Sequence, residues 1–136
     1  MNLAKTMSLS AAGMRAQSER MRVIAENLAN ANSLAVTEGD DPYRRKVVSF
    51  KNELDRSLGA NLVSVNKVVE DQSDFGMRYD PAHPAANQDG YVTMPNVNAL
   101  VEMMDMKEAQ RSYEANLKVI ENAKSMLMQT IQILRS

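Results

Sequence analysis

The chain has 136 residues, of which 44% are hydrophobic, and its 16 basic and 17 acidic side chains leave a formal net charge of −1. This near-neutral balance gives no electrostatic reason to expect nucleic-acid binding. The absence of cysteine excludes disulfides, thiolate metal sites and thiol nucleophiles. Aromatic core residues are scarce, and eleven methionines stand in their place, a residue that adapts to more than one kind of neighbour.

Residues 1–32 predict a first long helix with a narrow apolar line. A large apolar side chain returns at every seventh position, and a small residue lies three positions before each one. The line consists of Met7, Met14, Met21 and Leu28, with Ile24 beside it. Residues at this spacing share one face of a helix. Ser8 and Ser10 are candidate caps if the opening turns fray, and Gly13 weakens the helix by about 1 kcal/mol relative to alanine.

The first helix closes with the asparagine-rich segment Ala25–Asn32, in which Asn27, Asn30 and Asn32 have two interpretations. Asparagine ends helices because it tolerates the left-handed conformation and bonds to nearby backbone. A polar side chain can also set the register between packed helices. The chemistry of the residues alone favours the first interpretation.

The middle segment, residues 33–95, predicts a small β-rich insert. After a polar connector that ends near Pro42, strand-like sequence covers Tyr43–Phe50 and Leu62–Val69. The intervening stretch Asn52–Asn61 is predicted to be a short helix or a loop. Too few strands are present for a large independent sheet.

The second half of the insert is expected to contain two shorter extended pieces. The first is Met77–Tyr79, and Asp80–Pro84 is predicted to continue extended because its two prolines fix their own φ and bias the preceding residues. Asp89 and Gly90 then predict a turn before the strand Tyr91–Met94.

Residues 96–136 predict a second long helix with a seam that also repeats every seven residues. The seam consists of Met106, Tyr113, Ile120, Leu127 and Leu134, with Leu117 and Ile131 on a weaker second line. Small or short residues at 109, 116 and 123 allow a neighbouring backbone to come close. At 1.5 Å per residue the two helices would be about 45 and 60 Å long. We therefore expect a mainly α, elongated fold with a small β-rich insert, in which the terminal helices pair in coiled-coil fashion.

No pattern in the sequence points to catalysis, a cofactor, a metal site or a small-molecule substrate. The five glycines are isolated, and His83 is the only histidine, so neither a metal-ligand set nor a Ser-His-Asp system is indicated. No apolar run reaches the 18 or so residues needed to span a bilayer, and the first residues lack the features of a secretory signal. We expect that a role outside the cytoplasm would require a different export route.

Two segments resemble a known family. Ala25–Asn32 is similar to the asparagine-rich motif that closes the N-terminal helix of bacterial flagellar axial proteins, the rod and hook group. Residues 79–98 resemble the proximal-rod members of the flagellar basal-body rod family, through Tyr79, Asp80, Pro81, His83, Pro84, Gly90, Tyr91, Pro95, Asn96 and Asn98. Pro42–Lys46 and Arg111–Asn116 agree, whereas Ala82 stands where glycine is expected. The resemblance covers nearly the whole chain.

The resemblance implies a structural rod subunit. Terminal helices of many subunits would form concentric layers of a tube that transmits torque from the inner-membrane (MS) ring to the distal rod. The implied partners are further copies of the chain, other flagellar rod proteins, the MS ring with its rod adapter, and the flagellar type III export apparatus. The implied location is the periplasmic rod of the basal body, reached without a cleaved signal. Nucleic acid and cofactors have no part in this interpretation.

A different class of function also fits the two apolar lines. A soluble coiled-coil adapter or export chaperone would bind a partner's helix along them and stay in the cytoplasm. In either case folding is expected to depend on neighbours: burial of one Met or Leu contributes about 1.5 to 3 kcal/mol, whereas ordering each residue costs roughly 1 to 2 kcal/mol. We therefore predict that the isolated subunit has mobile ends.

Overall fold

The computed structural model describes residues 2–136 and contains two long helices and two small antiparallel sheets. In chain order the elements are helix α1 (Leu3–Ala29), strands β1 (Lys46–Asp55), β2 (Ala60–Glu70), β3 (Gly76–Tyr79) and β4 (Tyr91–Met94), and helix α2 (Ala99–Arg135). The two helices pack against each other, and the strands form β1–β2 and β3–β4 pairs. The predicted combination of paired terminal helices and a small β-rich insert is confirmed, whereas coiled-coil geometry stays a prediction.

Helix α1 begins and ends at asparagines. The Asn2 side chain accepts a hydrogen bond from the Lys5 N–H at 3.1 Å and caps the first turn, so Ser8 and Ser10 lie inside the helix rather than at its start. At the other end Asn30 is the cap, and its Nδ2 donates to the Glu26 carbonyl at 2.9 Å. The helix therefore stops before Asn32, because the Asn30 side chain supplies a hydrogen-bond donor to a carbonyl of the last turn.

The prediction of a short helix or loop at Asn52–Asn61 is confirmed only for the turn at residues 56–59 and is wrong for residues 52–55. Strand β1 continues to Asp55, and the chain reverses only at residues 56–59. The Asp55 carboxylate accepts hydrogen bonds from the backbone N–H groups of Ser57 (2.9 Å) and Leu58 (3.2 Å), and Gly59 closes the turn with φ 58°. The distal part of the strand is exposed on both faces, so the alternation by which a half-buried strand is recognised is absent there.

The extended conformation predicted for Asp80–Pro84 is also wrong. The His83 N–H donates to the Asp80 carbonyl at 3.2 Å, and the Ala86 N–H donates to the His83 carbonyl at 3.0 Å, so two turns follow each other. Pro81 and Pro84 occupy the second position of these turns, where the fixed φ of proline is favoured. The turn predicted at Asp89–Gly90 and the strand after it are confirmed.

The two helices run antiparallel. The Asn27 side chain, near the end of α1, contacts Glu102, near the start of α2, and Gly13 lies against Asn116. Asn98 caps α2, since its side chain accepts hydrogen bonds from two N–H groups of the first turn. Antiparallel pairing therefore places the N-terminal turn of α2 beside the C-terminal turns of α1.

The β1–β2 hairpin lies along α1. Its base is at the C-terminal end of α1, where the Lys46 ammonium contacts the Glu26 carboxylate. Its tip is at the opposite end of the helix, where the Lys5 ammonium donates to the Gly59 carbonyl at 3.2 Å. The buried apolar residues of the chain are mostly small. Those on the two helices are Ala12, Ala16, Val23, Ile24, Ala109 and Ala123, and Ala85 and Val92 lie at β4 and the segment before it.

Candidate assembly surface and the polar junction

The contact between α1 and α2 is made by small residues. On α2 the buried positions follow a seven-residue spacing, with Glu102, Ala109 and Ala123 buried and Asn116 half-buried. A side-chain carbon placed on Gly13 would lie 2.8 Å from Asn116 Nδ2, so the glycine allows the close approach. The sequence predicted that a neighbouring backbone could come close to the small or short residues at 109, 116 and 123. In the structure these positions face α1.

Most residues of the predicted apolar seam lie beside this small-residue line. Ile24 is buried, with 5% of its surface exposed. The half-buried members are Met7, Met14, Met21, Leu28, Met106, Tyr113 and Ile120. The exposed members are Leu117, Leu127, Ile131 and Leu134. One subunit thus leaves much of the large apolar surface of both helices uncovered, and packing of that surface between subunits stays a prediction.

The last part of α2 extends beyond α1. With Asn27 near Glu102 and Gly13 near Asn116, the same register places Leu3 opposite Met126, so later residues have no α1 residue beside them. We call residues 124–136 the free end of α2, and all of them are exposed. Its large apolar residues are Met126, Leu127, Met128, Ile131, Ile133 and Leu134. Among the described residues, this is the strongest candidate for an assembly surface.

At the opposite end of the helix pair, polar side chains form a cluster that we call the polar junction: Asn27, Tyr43, Arg45, Asp71, Asn96 and Glu102. Asn27, only 1% exposed, stands at its centre. Its Nδ2 donates to the Lys46 carbonyl (2.8 Å) and to Glu102 Oε2 (3.2 Å), while its Oδ1 accepts from Tyr43 Oη (2.9 Å) and the Lys46 N–H (2.9 Å). These four bonds use the full capacity of an amide side chain. Asn27 therefore joins both helices to the start of β1.

Glu102 is a buried carboxylate, 1% exposed, held by Arg45. Arg45 Nε donates to Glu102 Oε1, and its Nη1 lies 3.2 Å from Asp71 Oδ2. Burial works against the charge of Arg45, but the hydrogen bonds from its guanidinium to Glu102 and Asp71 outweigh it and raise its pKa above the usual value. The buried negative charge is thus paired, as the cost of removing a carboxylate from water requires.

Asp71 and Asn96 attach the segments on either side of β3 and β4 to this junction. Hydrogen bonds from the backbone N–H and hydroxyl of Ser73, together with Arg45, lower the pKa of Asp71 against the opposing effect of burial. Asn96 Oδ1 accepts from the Arg45 N–H at 2.7 Å, and its Nδ2 donates to the Asp71 carbonyl at 3.0 Å. One asparagine therefore connects the segment before α2 with the ends of both strands of the hairpin.

Tyr43 completes the polar junction. Burial, with a smaller contribution from the negative charge of Glu26, raises the pKa of the Tyr43 phenol, so the hydroxyl stays protonated and donates to Asn27. The groups of the polar junction are hydrogen-bonded to one another, and a cleft of about 320 Å³ borders them at Asn27, Arg45 and Glu102. The arrangement fixes the relative placement of α1, α2 and the hairpin.

The three asparagines of the closing motif have different environments. Asn27 is buried in the polar junction. Asn30 caps α1 and accepts a hydrogen bond from the Ser33 hydroxyl at 3.0 Å. Asn32 is exposed. Asn30 agrees with the helix-ending interpretation, and a register role between subunits stays a prediction for all three.

The segment that carried the family resemblance forms a compact corner around Gly90. The rings of Tyr79 and Tyr91 pack edge to face with their centroids 5.4 Å apart. Gly90 has φ 83°, and a side-chain carbon there would lie 2.9 Å from the Tyr79 ring and 3.1 Å from Pro81, so glycine is required for both conformation and space. Two of the other segment residues accept hydrogen bonds from the backbone: the Asp80 carbonyl in the first turn, and His83 Nδ1 from the Ala85 N–H. Pro84 is exposed, Pro95 is buried, and Asn98 caps α2.

A cleft of about 570 Å³ lies between α1 and the distal half of the hairpin and is lined by residues such as Ala12, Ala16 and Leu62. Within residues 2–136, no group of three or more His, Cys, Asp or Glu side chains is arranged to hold a metal ion. Over the same residues, no helix is both long and apolar enough to cross a bilayer.

Comparison with known proteins places these features in a family. A family model described as flagellar basal body rod FlgEFG protein C-terminal matches residues 88–133. The chain is 47% identical over 134 residues to the flagellar basal-body rod protein FlgC of Agrobacterium fabrum, covering 98% of this chain and 96% of that protein. The chain belongs to the FlgC family of flagellar basal-body rod proteins. FlgC of Bacillus subtilis is 39% identical over 143 residues (94% and 95% covered), and FlgC of Salmonella typhimurium is 38% identical over 133 residues (98% and 98%).

Membership in the FlgC family confirms the resemblance drawn from the two segments. The family is a structural class of the flagellum and of cell motility rather than a class of enzymes. The names of these relatives associate them with the basal body. The similarity extends along 98% of the chain.

Sequence reasoning missed Glu102 and the role of Arg45. Glu102 lies seven residues before Ala109 and so belongs to the same small-residue line. Extending that line by one repeat would have marked it as a buried carboxylate in need of a cation. Its partner could not be chosen in the same way, because Arg44 and Arg45 are adjacent and only the fold shows that Arg44 stacks on Phe75 instead.

Proposed function

We propose that this FlgC-family chain is a structural subunit of the proximal rod that assembles with further copies and with other rod proteins through its terminal helices. The observation that carries the proposal is the free end of α2, where large apolar side chains are exposed and, beyond Met126, have no α1 residue beside them. Covering such a surface with another protein surface is favourable, because it removes apolar area from water. Its occupants would be helices of neighbouring subunits.

The small-residue line supports the same proposal. Because Gly13, Ala109 and Ala123 let the two helices approach closely, the large side chains of the predicted seam remain at the sides of the pair. A helix pair of this kind presents apolar surface to more than one neighbour at once. Layers of such pairs would bury the remaining surface, with the β-rich segment, residues 33–95, packed outside the axial helices of residues 1–32 and 96–136.

The wider role follows from the family rather than from any single contact. The subunit would connect the MS ring and its rod adapter to the distal rod, and torque would pass through many weak helix contacts in parallel. It would reach the periplasm through the flagellar type III apparatus without a cleaved signal. The asparagines of the closing motif would act on register, Asn27 through the polar junction within its own subunit.

The test is electron microscopy of basal bodies extracted from a strain that lacks the gene, beside the same strain carrying it on a plasmid. We expect membrane rings without a completed rod in the deletion strain and complete rods in the complemented strain. Intact rods in the deletion strain would overturn the proposal. The cytoplasmic adapter or chaperone would then be favoured if the protein were found in a small, defined complex with an export substrate.

Hydrogen exchange tests the coupling of order to assembly. In dilute free subunit, backbone amides of the free end of α2 are expected to exchange quickly, whereas those near Glu102 exchange slowly. Full protection of both ends of α2 in the monomer would contradict a role for neighbours in ordering them.

A further inference from the structure

Strand β1 has an open edge along its distal half. The β1–β2 sheet has only two strands, and within residues 2–136 no backbone–backbone hydrogen bond outside the pairing with β2 involves residues 47–55. Residues 50–54 are all exposed. A long unpaired edge is a ready template for another strand, and a two-stranded hairpin is marginally stable in water by itself.

The exposed residues of this edge have a self-complementary order around Asn52. If two copies of β1 lie antiparallel with Asn52 opposite Asn52, then Lys51 faces Glu53 of the second copy, and Phe50 faces Leu54. Phe50 and Leu54 are 38% and 60% exposed in the single subunit. The side chains of Lys51 and Glu53 are 49% and 63% exposed and lie 3.7 Å apart. Opposite charges and apolar residues directly across two strands stabilise the pairing.

We propose that the free subunit pairs with a second copy through β1, forming a four-stranded antiparallel sheet in the order β2, β1, β1, β2. The two-fold axis passes through Asn52 and stands perpendicular to the sheet. Both α1 helices then lie on the same face. On that face Phe50 and Leu54 of each copy cover each other, and on the opposite face two Lys51–Glu53 pairs form between the copies.

This contact goes beyond the proposed function, because it is not the contact that repeats along a rod. A two-fold contact is isologous and joins subunits that point in opposite directions, whereas a rod growing in one direction requires head-to-tail contacts. The pair therefore forms between free subunits, before they assemble into a rod. It covers the open edge of β1 until neighbouring rod subunits take its place.

Single-cysteine variants of the full-length purified chain test the pairing directly, since the native chain has no cysteine. Asn52→Cys is expected to form a disulfide-linked dimer under mild oxidation, because residues directly opposite in an antiparallel pair lie about 4.5 to 5.5 Å apart at Cα, within the range for a disulfide. Asn61→Cys is the matched control: it is also an exposed asparagine of this hairpin, but it lies on β2. Equal crosslinking of the two variants would overturn the proposal.

A charge exchange gives a second test that needs no crosslink. Sedimentation of the unmodified chain from low micromolar to near-millimolar concentration is expected to show a monomer–dimer equilibrium. Lys51→Glu or Glu53→Lys alone turns both cross-strand pairs into like-charge pairs and should raise the dissociation constant by about tenfold. The double variant should restore it. A monomer at all concentrations, or a double variant no better than the single ones, would contradict the pairing, and neither result depends on whether rods form in cells.

Discussion

The two ends of α2 are covered in opposite ways. Near its start Glu102 is 1% exposed and every polar group around it has a partner, whereas near its end Leu134 is 81% exposed. Buried polar groups require specific partners at specific distances, so the polar junction allows only one arrangement of the elements. Apolar burial is non-directional, so the free end sets no comparable demand for specific partners. The helix pair is thus anchored at one end of α2 and leaves apolar surface uncovered at the other.

Removal of the Glu102 carboxylate should have the largest effect on stability. Glu102→Ala removes the closest partner of the partly buried guanidinium of Arg45, and Asn27 loses an acceptor. We expect the free energy of unfolding to fall by about 3 kcal/mol, as measured by urea denaturation. Glu108→Ala is the control: its side chain is 68% exposed, so the loss should stay below about 1 kcal/mol. Similar losses in both variants would show that the polar junction does not anchor the helices.

The second-largest loss of stability is expected at Asn27, and Asn32 of the same motif is its control. Asn27→Ala removes four hydrogen bonds and leaves backbone groups of Lys46 without partners, so we expect a loss of about 2 kcal/mol. Asn32→Ala changes an exposed side chain and should alter stability by less than about 0.5 kcal/mol. Thermal and urea unfolding of both variants measure the difference. Equal destabilisation by Asn32→Ala would contradict the placement of Asn27 at the centre of the polar junction.

The contribution of Asp71 should depend on pH. Its pKa in the folded chain lies below the usual value, so its stabilisation is present above the unfolded pKa of about 3.9 and is lost as the pH falls through the lower folded value. The difference in unfolding free energy between the native chain and Asp71→Asn should therefore be constant near neutral pH and shrink below pH 4. Because Asp71 is partly exposed, we expect this difference to stay under about 1 kcal/mol. A difference that grows in acid would contradict the assignment.

Changes at the free end of α2 should have the smallest effect on the isolated subunit. Leu134→Ala removes an exposed side chain, so the free energy of unfolding should change by less than about 0.5 kcal/mol. Rod completion and swimming in soft agar should nevertheless decrease, since assembly would lose apolar contact. Gln132→Ala, on the same exposed turn, is the control that should leave both unchanged. A large loss of monomer stability in Leu134→Ala would show that the free end is already covered within one subunit.

Much of the fold could be predicted from periodicity. The seven-residue spacing located both helices, and the turn residues Asp89 and Gly90 located the start of β4 to the residue. The wrong predictions lie where the local sequence is compatible with two backbone conformations. Proline at 81 and at 84 is compatible with extended chain and with the second position of a turn, and the hydrogen bonds from His83 and Ala86 decide for turns. The distal half of β1 shows no alternation because neither of its faces is buried.

The candidate site was less predictable, because burial is a property of the assembled elements. A seven-residue ladder of methionines identifies a helix face, but it does not show whether the large or the small residues of that face touch the second helix. Gly13 and Asn116 decide this, since their close approach brings the small-residue line inward. The large apolar residues then remain on the outside, where a neighbouring subunit would cover them.

The sequence by itself determined the two helices, the presence of a small β-rich insert and, through the segments at 25–32 and 79–98, the family. These follow from local preferences and residue order, which need no partner distant in the chain. Only the tertiary structure decided that Asn27, Arg45 and Glu102 meet, because they come from three separate elements and their pairing depends on how those elements pack. It also decided which end of α2 is covered, since the antiparallel register of α1 against α2 sets where their contact stops.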